Sequence, residues 1–182
     1  MMGRRLLFSA ALCLSAATFA LAQWPPPKAP VIPEADGYVV IPGAALRPEK
    51  NHVYQAVVEA TQFPEEPTQL LMALNNADSE LNALAVEGVP KRNRKFVVGF
   101  HGAPIDGILD NGHYRAKYGV DNPNLKVLGE LKKEGVELSV CGQNLAFAKI
   151  DPKTLTPDVT IASDALVVLM TYQNAGYALL SY

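Results

Sequence analysis

The sequence predicts an α/β fold: a single three-layer domain built on a mainly parallel five-stranded sheet with helices on both faces. Three observations carry this. Short β-branched runs alternate with amphipathic stretches of helical length, which is the pattern of βαβ units. The run Lys95-Phe96-Val97-Val98-Gly99-Phe100 is almost continuously apolar, as a strand covered on both faces must be. Helix punctuation also falls between the strands, with Pro123 just inside one helix and Gly135 just past its end.

In chain order, residues 52–60 (HVYQAVVEA) read as the first strand. After Pro64 and Pro67, Thr68 is placed to cap a helix that carries Leu70, Leu71, Leu74, Ala77, Leu81 and Leu84 on one side, and Gly88 and Pro90 stop it. Strand 95–100 follows. The loop GAPIDGILDNG leads to a short helix around 114–118, with Asp110-Asn111-Gly112 read as a turn. Asn122 is expected to cap a helix with Leu125, Leu128 and Leu131 inside. In GVELSVCGQNLAF, residues 135–147, Val136, Leu138 and Val140 alternate with polar neighbours as a third strand, and a short helix follows. Residues 159–162 form a fourth strand, Ser163 or Asp164 caps a helix through Asn174, Gly176 ends it, and 177–182 is the last strand.

Ahead of this domain, which spans 51–182, stand two other segments. Residues 1–22 have the layout of a signal peptide: Arg4 and Arg5, an apolar run from Leu6 to Phe19, and Ala20-Leu21-Ala22 before a cut at Gln23. A retained anchor is the competing reading, but a spanning helix needs about 20 apolar residues. The expected location is therefore periplasmic or secreted, with no membrane association after cleavage. Residues 23–50 hold Pro25, Pro26, Pro27, Pro30, Pro33, Pro42 and Pro48, so this arm should be extended and irregular. It is either a flexible leader or an arm lying across its own domain or a neighbouring subunit. Tyr38-Val39-Val40-Ile41 is too apolar for a free linker.

Cleavage removes Arg4, Arg5 and Cys13, leaving 14 Lys and Arg against 18 Asp and Glu, a formal charge of −4, and one cysteine, Cys141. About 160 residues are enough for one real core. A mildly acidic chain without a basic cluster argues against nucleic acid as partner. An unpaired cysteine in an oxidising compartment calls for burial, pairing with another chain, or reactivity.

Ligands of open parallel sheets bind at the carboxyl ends of the strands. His101 ends the second strand and Cys141 the third, each followed by a glycine, Gly102 and Gly142. A cysteine between a strand end and a helix N-terminus is placed where thiolate is favoured over thiol. Gln143 and Asn144 offer amides beside it, and His101 could bond a thiolate or persulfide if the two strand ends are neighbours. Equally, a lone cysteine often packs as a small hydrophobe, and a strand-end histidine is often structural. Asn75-Asn76 interrupts the first helix, and Asn75 points an amide either at a site, at a neighbouring chain or into solvent. His52, His101 and His113 lack zinc-ligand spacing, and no phosphate loop, dinucleotide fingerprint, nucleophile elbow or EF-hand is present. No metal or organic cofactor is expected.

The segments VPKRNRKFVVGFHGAPIDGIL, NPNL (122–125), LKKEGVELSVCGQ (131–143) and YQNAGYALLSY resemble the DsrE-like (DsrE/DsrF, YchN-like) family, and more closely its secreted, signal-peptide-bearing branch. The resemblance covers roughly residues 52–182. It implies a compact α/β domain that forms homo-oligomers, trimers or hexamers. It also implies sulfur carriage as a persulfide on a cysteine after the third strand, the place of Cys141, exchanged with a donor or acceptor protein or a small sulfur species. Relay members often follow the next helix with Arg-Gly, where this chain has Ala148-Lys149-Ile150, and their partners are cytoplasmic. The alternative is a non-catalytic module that binds a small ligand or a protein, with Cys141 as packing. A third reading is a redox sensor in which Cys141 pairs with its copy in another subunit.

Overall fold

The computed structural model describes residues 24–182; the leader at 1–22 and the cut before Gln23 lie outside the described residues. Five strands, β1 (Tyr54–Ala60), β2 (Arg94–Phe100), β3 (Glu137–Cys141), β4 (Thr160–Ala162) and β5 (Ala178–Ser181), form one sheet in the order β4-β3-β2-β1-β5. Every neighbouring pair is parallel, so all carboxyl ends lie along one edge. The helices are α1 (Met72–Val86), α2 (Asn111–Tyr118), α3 (Asn124–Glu134), α4 (Gly142–Ala148) and α5 (Ala165–Asn174).

Alternation along the strands divides the core into two parts. Val58 and Ala60 of β1, Val98 and Phe100 of β2, and Leu138 and Val140 of β3 face α1 and α3, where Leu74, Leu81, Leu128 and Leu131 are buried. On the other face Val57 and Val97 meet Leu169 of α5. That second layer is thin. Leu166, Val167 and Met170 of α5 and Ile161 of β4 remain about half exposed.

Several helix starts differ from expectation. Thr68 does not cap α1; the helix begins at Met72, and the Leu71 N–H is satisfied from outside by Asn124 Oδ1 at 2.9 Å. Asp110-Asn111-Gly112 is not a free turn but the start of α2, with Asp110 accepting from the His113 N–H at 2.8 Å. Asn122 does its capping one position early: α3 opens at Asn124 after Pro123, and Asn122 Oδ1 accepts the Asn124 N–H at 2.9 Å. Asp164, not Ser163, caps α5 through the Leu166 N–H.

The arm lies on its own domain. Lys28 and Tyr38 pair in an antiparallel bridge that closes a loop, and Ile32 within that loop is fully buried. The Val31 and Ile32 N–H groups donate to Asn82 Oδ1 at 2.9 and 3.1 Å, and Asn82 Nδ2 returns a bond to the Ile32 carbonyl. Tyr38 and Arg47 both reach Glu87 at the end of α1. Ile32 is the buried anchor; within the apolar stretch 38–41, Tyr38 is tied to Lys28 and Glu87, while Ile41 is exposed.

Candidate functional site at the carboxyl edge of the sheet

Register sets the site. Phe100 of β2 pairs with Val140 of β3 and with Ala60 of β1, so the chain passes from that row into His101 on one strand and Cys141 on its neighbour. Phe100 and Val140 face α1 and α3. By alternation Cys141 and the row Glu59, Gly99, Ser139 lie on the α5 side, and a Cβ built on Gly99 points at Leu169.

Cys141 is the last residue of β3 and the N-cap of α4. It is unpaired and 5% exposed in the isolated chain. The turn behind it is tight: a Cβ on Gly142 would stand 2.6 Å from the Ala162 carbonyl oxygen, so the position needs glycine for close approach to β4. Gln143 Nε2 donates to the Ser163 carbonyl at 3.3 Å, and Asn144 Oδ1 accepts the Gly102 N–H at 3.3 Å. Gly102 has φ +74°, the left-handed region that favours glycine. Both amides thus tie loops together around the cysteine, and Sγ is a partner in neither bond.

His101 turns toward β1. Its Nε2 lies 3.0 Å from Glu59 Oε1, and Glu59 Oε2 accepts from Ser181 Oγ at 2.6 Å. A carboxylate can only accept, so Nε2 carries the proton of this bond. His101 and Glu59 are about four-fifths buried as side chains. The strand order therefore lays Cys141, His101, Glu59 and Ser181 across β3, β2, β1 and β5 at one edge. Glu59 and Ser181 were not among the expected site residues. A signal existed, since Glu59 is the one charged residue of β1, but its partner is set by strand order and not by spacing.

Asn75 stands on the opposite face of the sheet from the Cys141 row, lining a cleft with Gln62 and Phe63, which follow β1. It sits on α1, across the sheet from α5, and its amide is engaged by Asp36 of the arm: Nδ2 donates to Oδ2 at 2.9 Å and Oδ1 accepts the Asp36 N–H at 3.3 Å. Of the possibilities for that amide, neither solvent nor a neighbouring chain is needed. Among the described residues no group of three His, Cys, Asp or Glu side chains is arranged to hold a metal ion, and no helix is long and apolar enough to cross a membrane.

Comparison with known proteins agrees with this frame. No curated protein matches the chain. Among solved structures it is similar to a protein of unknown function, MTH1491 from Methanobacterium thermoautotrophicum, with 16% identity over 71% of this chain and 99% of that one and a TM-score of 0.54. It is also similar to the ychN protein from E. coli, with 18% identity over the same shares and a TM-score of 0.49. The first likeness speaks for the fold alone. The model of the DsrE/DsrF-like family matches residues 55–182, which is most of the chain and contains every strand but the first residue of β1. The chain therefore belongs to the DsrE/DsrF-like family.

Proposed function

We propose that this protein is an exported DsrE/DsrF-like protein that carries sulfane sulfur as a persulfide on Cys141. The observation that supports the reading is where the thiol stands. The one cysteine of the family-matched region closes β3 and opens α4 at the ligand-binding edge of a parallel sheet, on the strand beside His101. The step needs no outside oxidant. The Cys141 thiolate attacks the outer sulfur of a polysulfide or of a donor's persulfide. A sulfur–sulfur bond forms on Cys141, the donor's own sulfur–sulfur bond breaks, and the donor leaves as a thiolate one sulfur shorter. The thiol proton passes to solvent or to Nδ1 of His101. Transfer to an acceptor thiolate is the same exchange run outward. In this scheme Glu59 is a positioning residue: it fixes the tautomer and tilt of His101, and Ser181 fixes Glu59 in turn.

Association into a homo-oligomer, a trimer or hexamer, is part of the proposal. What supports it is the α5 face, where Leu166, Val167 and Met170 fall at helical spacing and stand about half exposed.

One observation favours a second reading. At 5% exposure Cys141 is as buried as a packing residue, which suits a binding module with no thiol chemistry. Alkylation of the folded protein separates the two, with Cys141→Ser as blank. A carrier labels without denaturant, and Glu59→Gln changes the pH profile of that labelling. A packing thiol labels only after unfolding.

A further inference from the structure

The arm, α1 and α3 meet over a carboxyl group that has nothing to bond. Asp78, on the arm-facing side of α1, is fully buried, and neither of its carboxylate oxygens has a hydrogen-bond partner. The helical neighbours Asn75, Ser79 and Asn82 all hold the arm, at Asp36 and at Val31 and Ile32. Two more acids converge from the other elements. Glu34 comes from the arm and Glu130 from α3, with Glu130 Oε2 also buried and unpartnered. The cation of this seam, Lys126 of α3, pairs with Glu34; Lys133 acts on Glu130 from further along α3. An ionised carboxylate without partners is expensive to bury, so the docked arrangement requires protons in this seam.

We propose that residues 31–38 form a proton-held strap, docked on α1 and α3 while the carboxyls of Asp78 and Glu130 are protonated and loosened when they ionise. Burial, reinforced by the Glu130 and Glu34 charges, pushes Asp78 up to about 8, and Glu130 is raised by burial and by the neighbouring Glu34 carboxyl. A carboxyl with a raised docked pKa supports docking fully below its undocked value, near 3.8. That support is lost progressively as pH rises toward the docked value, by up to about tenfold in the docking equilibrium per pH unit. The window therefore runs from about 4 to about 8 and covers physiological pH. The strap also walls a cleft: Glu34 and Asp36 form one side of a cavity of about 700 Å³ whose other walls include Phe63, Leu70, Met72 and Asn75. Loosening the strap opens that cleft. This inference is independent of the chemistry at Cys141.

Amide exchange at Val31 and Ile32 in the intact protein, corrected for its intrinsic pH dependence, reads docking directly, because both N–H groups are held by Asn82. Wild-type protection at these two amides should fall by about a hundredfold or more between about pH 5 and pH 8. The β2 amides of Val97 and Val98 should hold theirs. In Asp78→Asn, which is neutral at every pH, the fall should shrink to about tenfold or less. Glu130→Gln on the opposite helix is the second variant if the first loses β2 protection, and it should flatten part of the same slope. Protection that is flat with pH in the wild type, or an undiminished slope in the variant with β2 intact, overturns the strap.

Discussion

Gly142→Ala is the substitution whose cost can be worked most directly from the structure. The added methyl carbon would sit 2.6 Å from the Ala162 carbonyl oxygen, with the Ser163 carbonyl oxygen and Ile161 Cγ2 each at 3.4 Å. Two of the three obstacles are backbone, so no rotamer change relieves them, and β4 or the first turn of α4 has to move. Overpacking of this kind costs roughly 1–3 kcal/mol. Alanine's better backbone entropy returns about 0.5–1 kcal/mol at most. A net loss of about 1–2 kcal/mol is expected, read as a lower urea midpoint at unchanged slope. Gly99→Ala is the control in the same sheet. Its Cβ would meet Leu169 at 3.8 Å, an ordinary contact, and its stability should match or exceed wild type. Gly142→Ala should also label faster at Cys141, because the strand it displaces is the one paired with that residue. Equal stability of the two variants would refute the reasoning, since it would mean that the β4 backbone gives way without cost.

Four other outcomes are expected. Asn124→Ala leaves the buried Leu71 N–H without an acceptor and empties a fully buried site, and should cost about 2–4 kcal/mol by denaturant unfolding. Leu166→Gln with Met170→Gln should reduce an oligomer to monomer in sedimentation while leaving the fold intact. The Asp110 carboxyl is held below the ordinary value of 3.8 by the backbone and side chain of His113. Its contribution to stability is therefore present above that value and is lost as pH falls through its lowered midpoint, which a carboxyl NMR titration locates. The proposed export is checked by N-terminal sequencing of the mature protein, which the Ala20-Leu21-Ala22 pattern predicts to begin at Gln23.

How much of this was readable beforehand depended on the range of the interactions involved. The parallel sheet was legible because each strand carries its own apolar pattern, and the order of elements came out complete. Helix starts were less legible because their caps are not local. The α1 terminus is satisfied by Asn124, 53 residues away, so no side chain near Thr68 could announce it. Asp110-Asn111-Gly112 reads as a turn from sequence because an Asp N-cap and an Asx turn share one signature. Cys141 and His101 stand at strand ends that the sequence alone marks, and the register places those ends on adjacent strands. The bond that His101 makes was not foreseen, since pairing with Glu59 follows from β2 lying between β3 and β1. The arm was ambiguous for a similar reason. Its hold depends on Asn75 and Asn82, polar residues of α1 that look solvated until the arm is laid across them.

The central claim is that Cys141 takes up and gives up sulfur in the folded state, and intact mass tests it most directly. Wild type and Cys141→Ser are incubated with a polysulfide without denaturant, then with an acceptor thiol. Wild type alone should gain the mass of one sulfur atom and lose it to the acceptor. A folded wild type that gains nothing, while the same protein in denaturant does, would contradict that claim and leave Cys141 as part of the core.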